Sequence, residues 1–532
     1  MVVKIIVVLI YLLITFYLGF KGWQATRKPA DYMLAGRQMH PFVMAMSYGA
    51  TFVSTSAIIG FGGAAGIFGF SLLWLTFANI AIGVLIAMVF LGKRTRRMGL
   101  SLESHTFPEL LGTRYKSKFI QQFSGLVIFT FIPVYAAAVL IGVSRMMEVS
   151  FGMPYEYSLI IVTAIVAIYV ITGGLKAVMY TDAFQGLIMA VMMGVLIYTT
   201  YSLLGGVTEA HKALTDMAHL MPEKLQKGGM IGWTQGAVPG SPLWLVIYTT
   251  IVYGVGVGVL AQPQLAVRFM TVASDKDLNR AVLYGGLFIP LMTGVAFLVG
   301  ALSNAVFYQS VGKISIAVAG GNIDKIIPMY IEQMMPEWFS GLFLLAMFAA
   351  AMSTLSSQYH VGGTSLGHDF VRRTFSTSGK GTMKYTQVGV IVAICAALAW
   401  ATFLPASIVA RATAFFFGLC AASFLPMFAL GLYWKGMTRA GAVTSMVTGF
   451  SVSMFWLIFV HLKEAKALGI CESLFGSVTL VAGAAKGSWV FLLQWVDPNV
   501  VALPISLAVA IGVSLMSQKL PEEHIDHCWE NI

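Results

Sequence analysis

Apolar runs of about 20 residues recur from one end of the chain to the other, and a helix of that length spans the hydrocarbon of a bilayer. They lie near 2–20, 41–67, 70–92, 120–147, 155–173, 181–204, 242–262, 281–308, 337–366, 384–404, 408–434, 440–461 and 498–517. The pattern predicts an all-α polytopic membrane protein with about 13 transmembrane helices. Of its 532 residues, 58% are hydrophobic and only 10% charged, so the chain cannot cover itself with water-compatible surface. That excludes a soluble enzyme and leaves no room for a sizeable extramembrane domain. The chain reads as a single transmembrane domain over 1–532, closed by a short, solvated cytoplasmic tail at 518–532. The first run has no small-residue cleavage site after it and is expected to stay as the first span.

In such a protein the net charge of +11 matters through its distribution and does not point to nucleic acid. With the N-terminus outside, the short inner loops hold most of the Lys and Arg, among them Arg27, Arg37, Lys93 to Arg97, Arg114, Lys116, Lys118, Arg268, Arg372, Arg373, Lys380, Lys435 and Arg439. The C-terminus is then cytoplasmic, and the setting is a cell membrane. Arg145 and Arg411 fall near outer span ends, where their long side chains are expected to snorkel. The four cysteines are scattered, with no CxxC pair. His524, His527 and Cys528 are metal-ligand types, but a solvated tail is the simpler reading.

Two spans read as broken. Residues 47–57 carry five hydroxyl residues and run into GFGGAAG at 60–66. Glycine weakens a helix, and Ser or Thr offers its backbone other partners. Unwound backbone inside a membrane lines a cavity or is buried in protein, and its carbonyls suit a hard cation; close packing through small residues is the competing reading. Residues 253–264, YGVGVGVLAQPQ, combine alternate glycines with a proline. A dinucleotide-binding glycine motif needs a strand–turn–helix context that is absent here, so a second flexible or tightly packed helix is expected. In 349–358, AAAMSTLSSQ, Ser353, Ser356 and Ser357 share one helical face with Ala350 one turn before. That stripe can ligate Na⁺ through neutral oxygens or bond back to its own helix. Asp182 is either an end cap or, if deeper, an intramembrane carboxylate wanting a cation. No catalytic constellation stands out.

These segments resemble the sodium/solute symporters, especially their proline and pantothenate permease branches. The blocks are GATFVSTSAIIGFGGAAG at 49–66, ITGGLKAVMYTDAFQG at 171–186, GVGVGVLAQPQLAVRFM at 254–270, AAAMSTLSSQ at 349–358 and ALGLYWKGMTRAGA at 429–442. The resemblance implies a five-plus-five inverted repeat of LeuT type, with one span before the core and two after it. It implies Na⁺ bound by Ala50, Val53, Ala350, Ser353 and Thr354, and a second Na⁺ site at Asp182, Ser353, Ser356 and Ser357. Ser54, Thr55, Ser56, Ala57, Tyr135, Val255 and Val259 are expected at the substrate. Phe52, Val255 and Val259 depart from the proline-permease pattern, which makes a small carboxylate or amino-acid-like solute of the proline, pantothenate or monocarboxylate class the expectation. The implied function is Na⁺-coupled symport by alternating access, with a proton-coupled relative, a channel or a membrane receptor as alternatives.

Overall fold

The computed structural model describes residues 2–26, 28–375 and 382–532. Arg27 and Lys380, two of the expected inner-loop cations, lie outside the described residues. Among the described residues 11 helices are long and apolar enough to cross a bilayer. One of them, Ser56–Ser101, is a 46-residue run that holds two expected crossings, and the shorter apolar helix Tyr155–Ile168 is another. The run is divided at Gly69, whose φ of 61° sets the turn between the two crossings. A side chain there would also collide with the Trp233 backbone.

Helix α1 (Val2–Ala25) precedes the core. The second crossing enters as α2 (Pro41–Phe52), breaks at Val53 (φ −92°, ψ 87°), and resumes as a π-helical turn, Ser56–Phe61, followed by α3 (Gly62–Phe68). The break falls inside the hydroxyl-rich run, as the sequence suggested. Helix α4 (Lys118–Phe151) is followed by α5 (Tyr155–Leu203), which kinks at Gly174 and so supplies two crossings. The seventh crossing runs from π-helical Val246–Val255 through Ala261, breaks at Gln262 (ψ 116°), and continues as α6 (Pro263–Phe269). Pro263 cannot donate to the preceding turn, which fixes the break there. The glycines of this crossing also let it press on its neighbour: a Cβ on Gly258 would lie 2.6 Å from that of Phe417. Both halves of the earlier reading, interruption and close packing, therefore hold for this segment.

Helices α7 (Asp275–Val311), α8 (Glu337–Thr364), α9 (Thr382–Phe403) and α10 (Val409–Tyr433) complete the core. Helices α11 (Arg439–Phe459) and α12 (Pro498–Met516) pack along each other outside it. The interrupted second and seventh crossings stand five apart, each opening a set of five. Helix α8 is the most enclosed crossing, 89% buried in its most apolar window, whereas α1, at 22%, leaves its apolar residues outward, as lipid contact requires.

One expectation about the periphery is corrected. The tail is an ordered helix, α13 (Glu522–Trp529), with Cys528 fully buried. Its Trp529 ring stacks 4.6 Å from the Arg114 guanidinium, and Lys435 pairs with Asp526 at 3.2 Å. Ile525, Cys528 and Trp529, at i, i+3 and i+4, give it an apolar face that the sequence reading overlooked. Arg145 and Arg411 are each held by a carboxylate: Arg145 pairs with Glu148 at 2.8 Å and Arg411 with Glu464 at 2.6 Å.

Candidate functional site

The break at Val53 places the end of α2 against the middle of α8. Ser353 Oγ donates to the Ala50 carbonyl at 2.9 Å and to the Ala350 carbonyl at 3.3 Å. Thr354 Oγ1 donates to the Thr51 carbonyl at 3.0 Å and to that of Ala50 at 3.4 Å. A continuous helix would use those carbonyls internally; the interruption turns them toward α8. Ala50, Val53, Ala350, Ser353 and Thr354 are all fully buried. The Ala50 and Ala350 carbonyls and the Ser353 and Thr354 hydroxyls meet here as neutral, hard oxygen donors of the type that replaces water around an alkali cation, with Val53 beside them at the break. The residues present fit Na⁺.

The second expected ion position is different. Asp182 lies within α5, fully buried, so the end-cap reading is excluded. Its Oδ2 accepts a hydrogen bond from Ser47 Oγ at 2.6 Å and one from the Arg268 guanidinium at 3.0 Å. Arg268 Nη2 also reaches Thr51 Oγ1 and Ser357 Oγ, each at 2.6 Å, and Nε reaches Ser47 Oγ at 2.9 Å. Ser356 Oγ bonds back to the Ser353 carbonyl at 3.1 Å. The four residues expected around a second Na⁺ thus do not share one centre. A guanidinium already supplies the positive charge that a buried carboxylate demands. The sequence reading placed Arg268 among loop cations. The missed signal is its position just after Pro263, inside the apolar QLAVRFM run of an interrupted crossing.

Above the break a small cavity of about 20 Å³ is lined by Ser54, Ala57, Tyr135 and Val255, together with Phe52, Asn79, Thr293, Thr413 and Phe417. That volume holds about one water, so the site is closed around itself. Three expected substrate residues lie elsewhere. Thr55 Oγ1 donates to the Val139 carbonyl at 2.7 Å, fastening the break to α4. Val259 packs on Gly83 and does not line the cavity. Ser56 stands at the start of the π-helical turn and is likewise absent from the lining. Asn79, Thr293 and Thr413 were missed. Asn79 is 2% exposed and its amide oxygen has no hydrogen-bond partner. Leaving such a group unpaired is costly, and it faces the cavity.

A wider cavity of about 230 Å³ lies between α3, Val246–Ile251, α10 and the loop before α12. Its charged lining includes Asp324, Arg411, Lys463, Glu464 and Asp497. Burial pushes the Asp324 carboxyl up to about 6, against the hydrogen bond from the Ile408 amide. Burial likewise raises Asp497 to about 7, against the Asn499 amide. Among the described residues no group of His, Cys, Asp and Glu is arranged to hold a transition metal.

Comparison with known proteins bears on the family and the fold. The sequence profile of the Sodium:solute symporter family matches residues 32–449. Proteins named sodium/proline symporter from Staphylococcus aureus, strains bovine RF122 and JH9, are each 31% identical over 495 residues, covering 90% of this chain and 89% of theirs. Among solved structures, a Na⁺-coupled sialic acid symporter superposes with a TM-score of 0.73 at 18% identity, over 98% of this chain and 99% of that one. Mhp1, a nucleobase-cation-symport-1 family transporter, gives 0.50 at 15% identity, over 94% and 99%. These structures share the fold. By its sequence over most of its length, the chain belongs to the sodium:solute symporter family.

Proposed function

We propose that the protein carries a small organic solute across the cell membrane, as a single transmembrane unit, by alternating access. Sodium is the coupling ion of this family. The observation that carries the site reading is the Ser353 and Thr354 hydroxyls meeting the Ala50 and Thr51 carbonyls across the break. An ion taking the place of those hydrogen bonds, held by Ala50, Val53, Ala350, Ser353 and Thr354, would tie α2 to α8. It would thereby favour the conformation in which the cavity around Ser54, Ala57, Asn79 and Tyr135 accepts solute. Sodium then tightens solute by the factor with which solute tightens sodium.

The reading includes one sodium per solute, since Arg268 meets Asp182 and Ser357 where a second ion was expected. The cavity lining carries no charged side chain. Neutral donors and acceptors suit a solute whose charge is met by helix ends and backbone amides, which favours a small carboxylate or amino-acid-like compound. The N-terminus is outside and the C-terminus cytoplasmic, on the strength of the basic inner loops. The test is uptake of labelled amino acids, pantothenate and short monocarboxylates into proteoliposomes under separately imposed Na⁺ and H⁺ gradients. Sodium-driven uptake of one of these supports the reading; uptake driven by protons in sodium-free buffer overturns it in favour of a proton-coupled carrier, and conductance without coupling overturns it in favour of a channel.

A further inference from the structure

The ordered tail helix closes one side of a trough at the basic end of the molecule. The trough, about 550 Å³, is lined by Lys116, Lys118, Arg373, His524 and His527, with Glu103 as its acidic member. Lys118 and Arg373 also line a neighbouring recess of about 390 Å³. Lys116, Lys118 and Arg373 are exposed and enter no ion pair among the described residues. Lys116 holds a left-handed backbone conformation, φ 47°, fixed by hydrogen bonds from its own amide to Thr113 and from Ser117 to Gly112. These two bonds terminate the helix Phe107–Arg114 in a Schellman turn, and that turn fixes the backbone from which Lys116 projects. Burial, together with the charges of Lys116 and Arg114, holds His524 below the usual imidazole value, a sign of uncompensated positive field. The wall formed by α13 is pinned by the Trp529–Arg114 stack and by a bond of 3.1 Å from His524 Nε2 to the Arg114 carbonyl.

Two large apolar side chains flank the cations in sequence. Phe119 is 47% exposed and Phe375 78% exposed, one following Lys118 and the other two residues beyond Arg373. Phe119 begins a crossing, so the trough opens at the level where headgroups meet acyl chains. Convergent cations beside exposed aromatics suit a ligand with a phosphoryl anion and a hydrocarbon body. We propose that this trough binds the headgroup phosphate of an anionic phospholipid, with Lys116, Lys118 and Arg373 as its cations and the docked tail helix as its wall. The site is separate from the transport pathway and does not rest on the transport reading.

The experiment places the full chain in phosphatidylcholine nanodiscs and titrates in phosphatidylglycerol while the unfolding temperature is followed. A ligand of the folded state raises that temperature with concentration. The wild type is expected to show a saturable rise. Lys118→Gln with Arg373→Gln should shift the midpoint to higher lipid fraction by about fivefold per cation removed, roughly 25-fold in all, whereas Lys118→Arg with Arg373→Lys should keep it. In pure phosphatidylcholine discs the Gln pair should unfold at the wild-type temperature, which excludes misfolding. An identical rise in the Gln pair, or none in the wild type, overturns the site. A rise produced by millimolar inorganic phosphate in pure phosphatidylcholine discs overturns the lipid source and identifies a soluble phosphate instead.

Discussion

The guanidinium of Arg268 lies 3.0 Å from the carboxylate of Asp182, and both side chains are at most 1% exposed. One belongs to the short helix after the second break, the other to the crossing that packs on α2, so the pair ties the two halves of the core. Removing one partner leaves a buried, uncompensated charge, a loss of about 3–5 kcal/mol. Arg268→Gln and Asp182→Asn should each lower the unfolding temperature and abolish uptake. The double variant should recover part of the stability, because a neutral pair needs no counter-charge. Additive losses across this cycle, measured by thermal unfolding in nanodiscs, would show that the two charges are not coupled.

If Arg268 serves in place of a second ion, sodium activates uptake with a Hill coefficient near one. The solute reversal potential measured at several sodium ratios in proteoliposomes should give one Na⁺ per solute. A value of two would return Asp182 and Ser357 to the ion.

Ser353→Ala and Thr354→Ala each delete one oxygen expected on the ion. Loss of a ligand to a desolvated charge is worth about 1–3 kcal/mol, so the sodium concentration for half-maximal uptake should rise roughly 5- to 150-fold. Solute affinity at saturating sodium should move less. Ser356→Ala is the internal control, since its hydroxyl bonds only to its own helix at Ser353; its sodium curve should superpose on wild type.

The cavity residues separate in the same way. Asn79→Ala should weaken solute binding by about 1–3 kcal/mol and leave sodium activation at saturating solute unchanged. Val255→Trp should block uptake by filling the cavity. Val259→Trp acts differently: it presses on Gly83 and should show as a lowered unfolding temperature. Equal behaviour of the two tryptophan variants in uptake and stability would contradict the placement of the valines.

Much of the geometry at the break was legible in the sequence because its composition already disfavours a continuous helix there. A membrane helix tolerates five hydroxyl residues followed by four glycines only where its backbone has other partners, and Ser353 and Thr354 stand on the facing helix to provide them. The facing of residues beyond the break was not legible. The resemblance put four consecutive residues, Ser54 to Ala57, at the substrate, but consecutive helical residues face different ways: Thr55 turns to the Val139 carbonyl and Ser56 leaves the lining to Ser54 and Ala57. The Arg268–Asp182 pair was hidden for another reason. Its members are 86 residues apart, and only the fold shows that the chain after Pro263 turns inward. The tail helix was missed because eight residues show little periodicity, and its Trp529 finds its partner in Arg114, far away in sequence.

Asp324 and Asp497 give the wide cavity a pH dependence whose sign follows from their environment. Both carboxyls stand above their ordinary value in the folded protein, Asp324 at about 6 and Asp497 at about 7. The folded state therefore binds these protons more tightly than the unfolded chain does, and the stability they contribute below pH 4 is lost as pH rises through 6 to 7. The neighbouring Arg411–Glu464 pair and Lys463 line the same cavity; Glu464 is already held down at about 2, where the His461 and Arg411 bonds outweigh burial, and stays ionised over this range. Lowering the pH from 8 to 5 should raise the unfolding temperature. Asp497→Asn should remove the larger part of that rise, because the amide mimics the protonated acid and still caps the first turn of α12, where Asp497 now accepts from the Asn499 amide at 2.9 Å. Measured at pH 8, the same variant should be more stable than wild type, by up to a few kcal/mol. An undiminished rise in Asp497→Asn, or a loss of stability at pH 8, would mean that the carboxylate is ionised and satisfied in the fold.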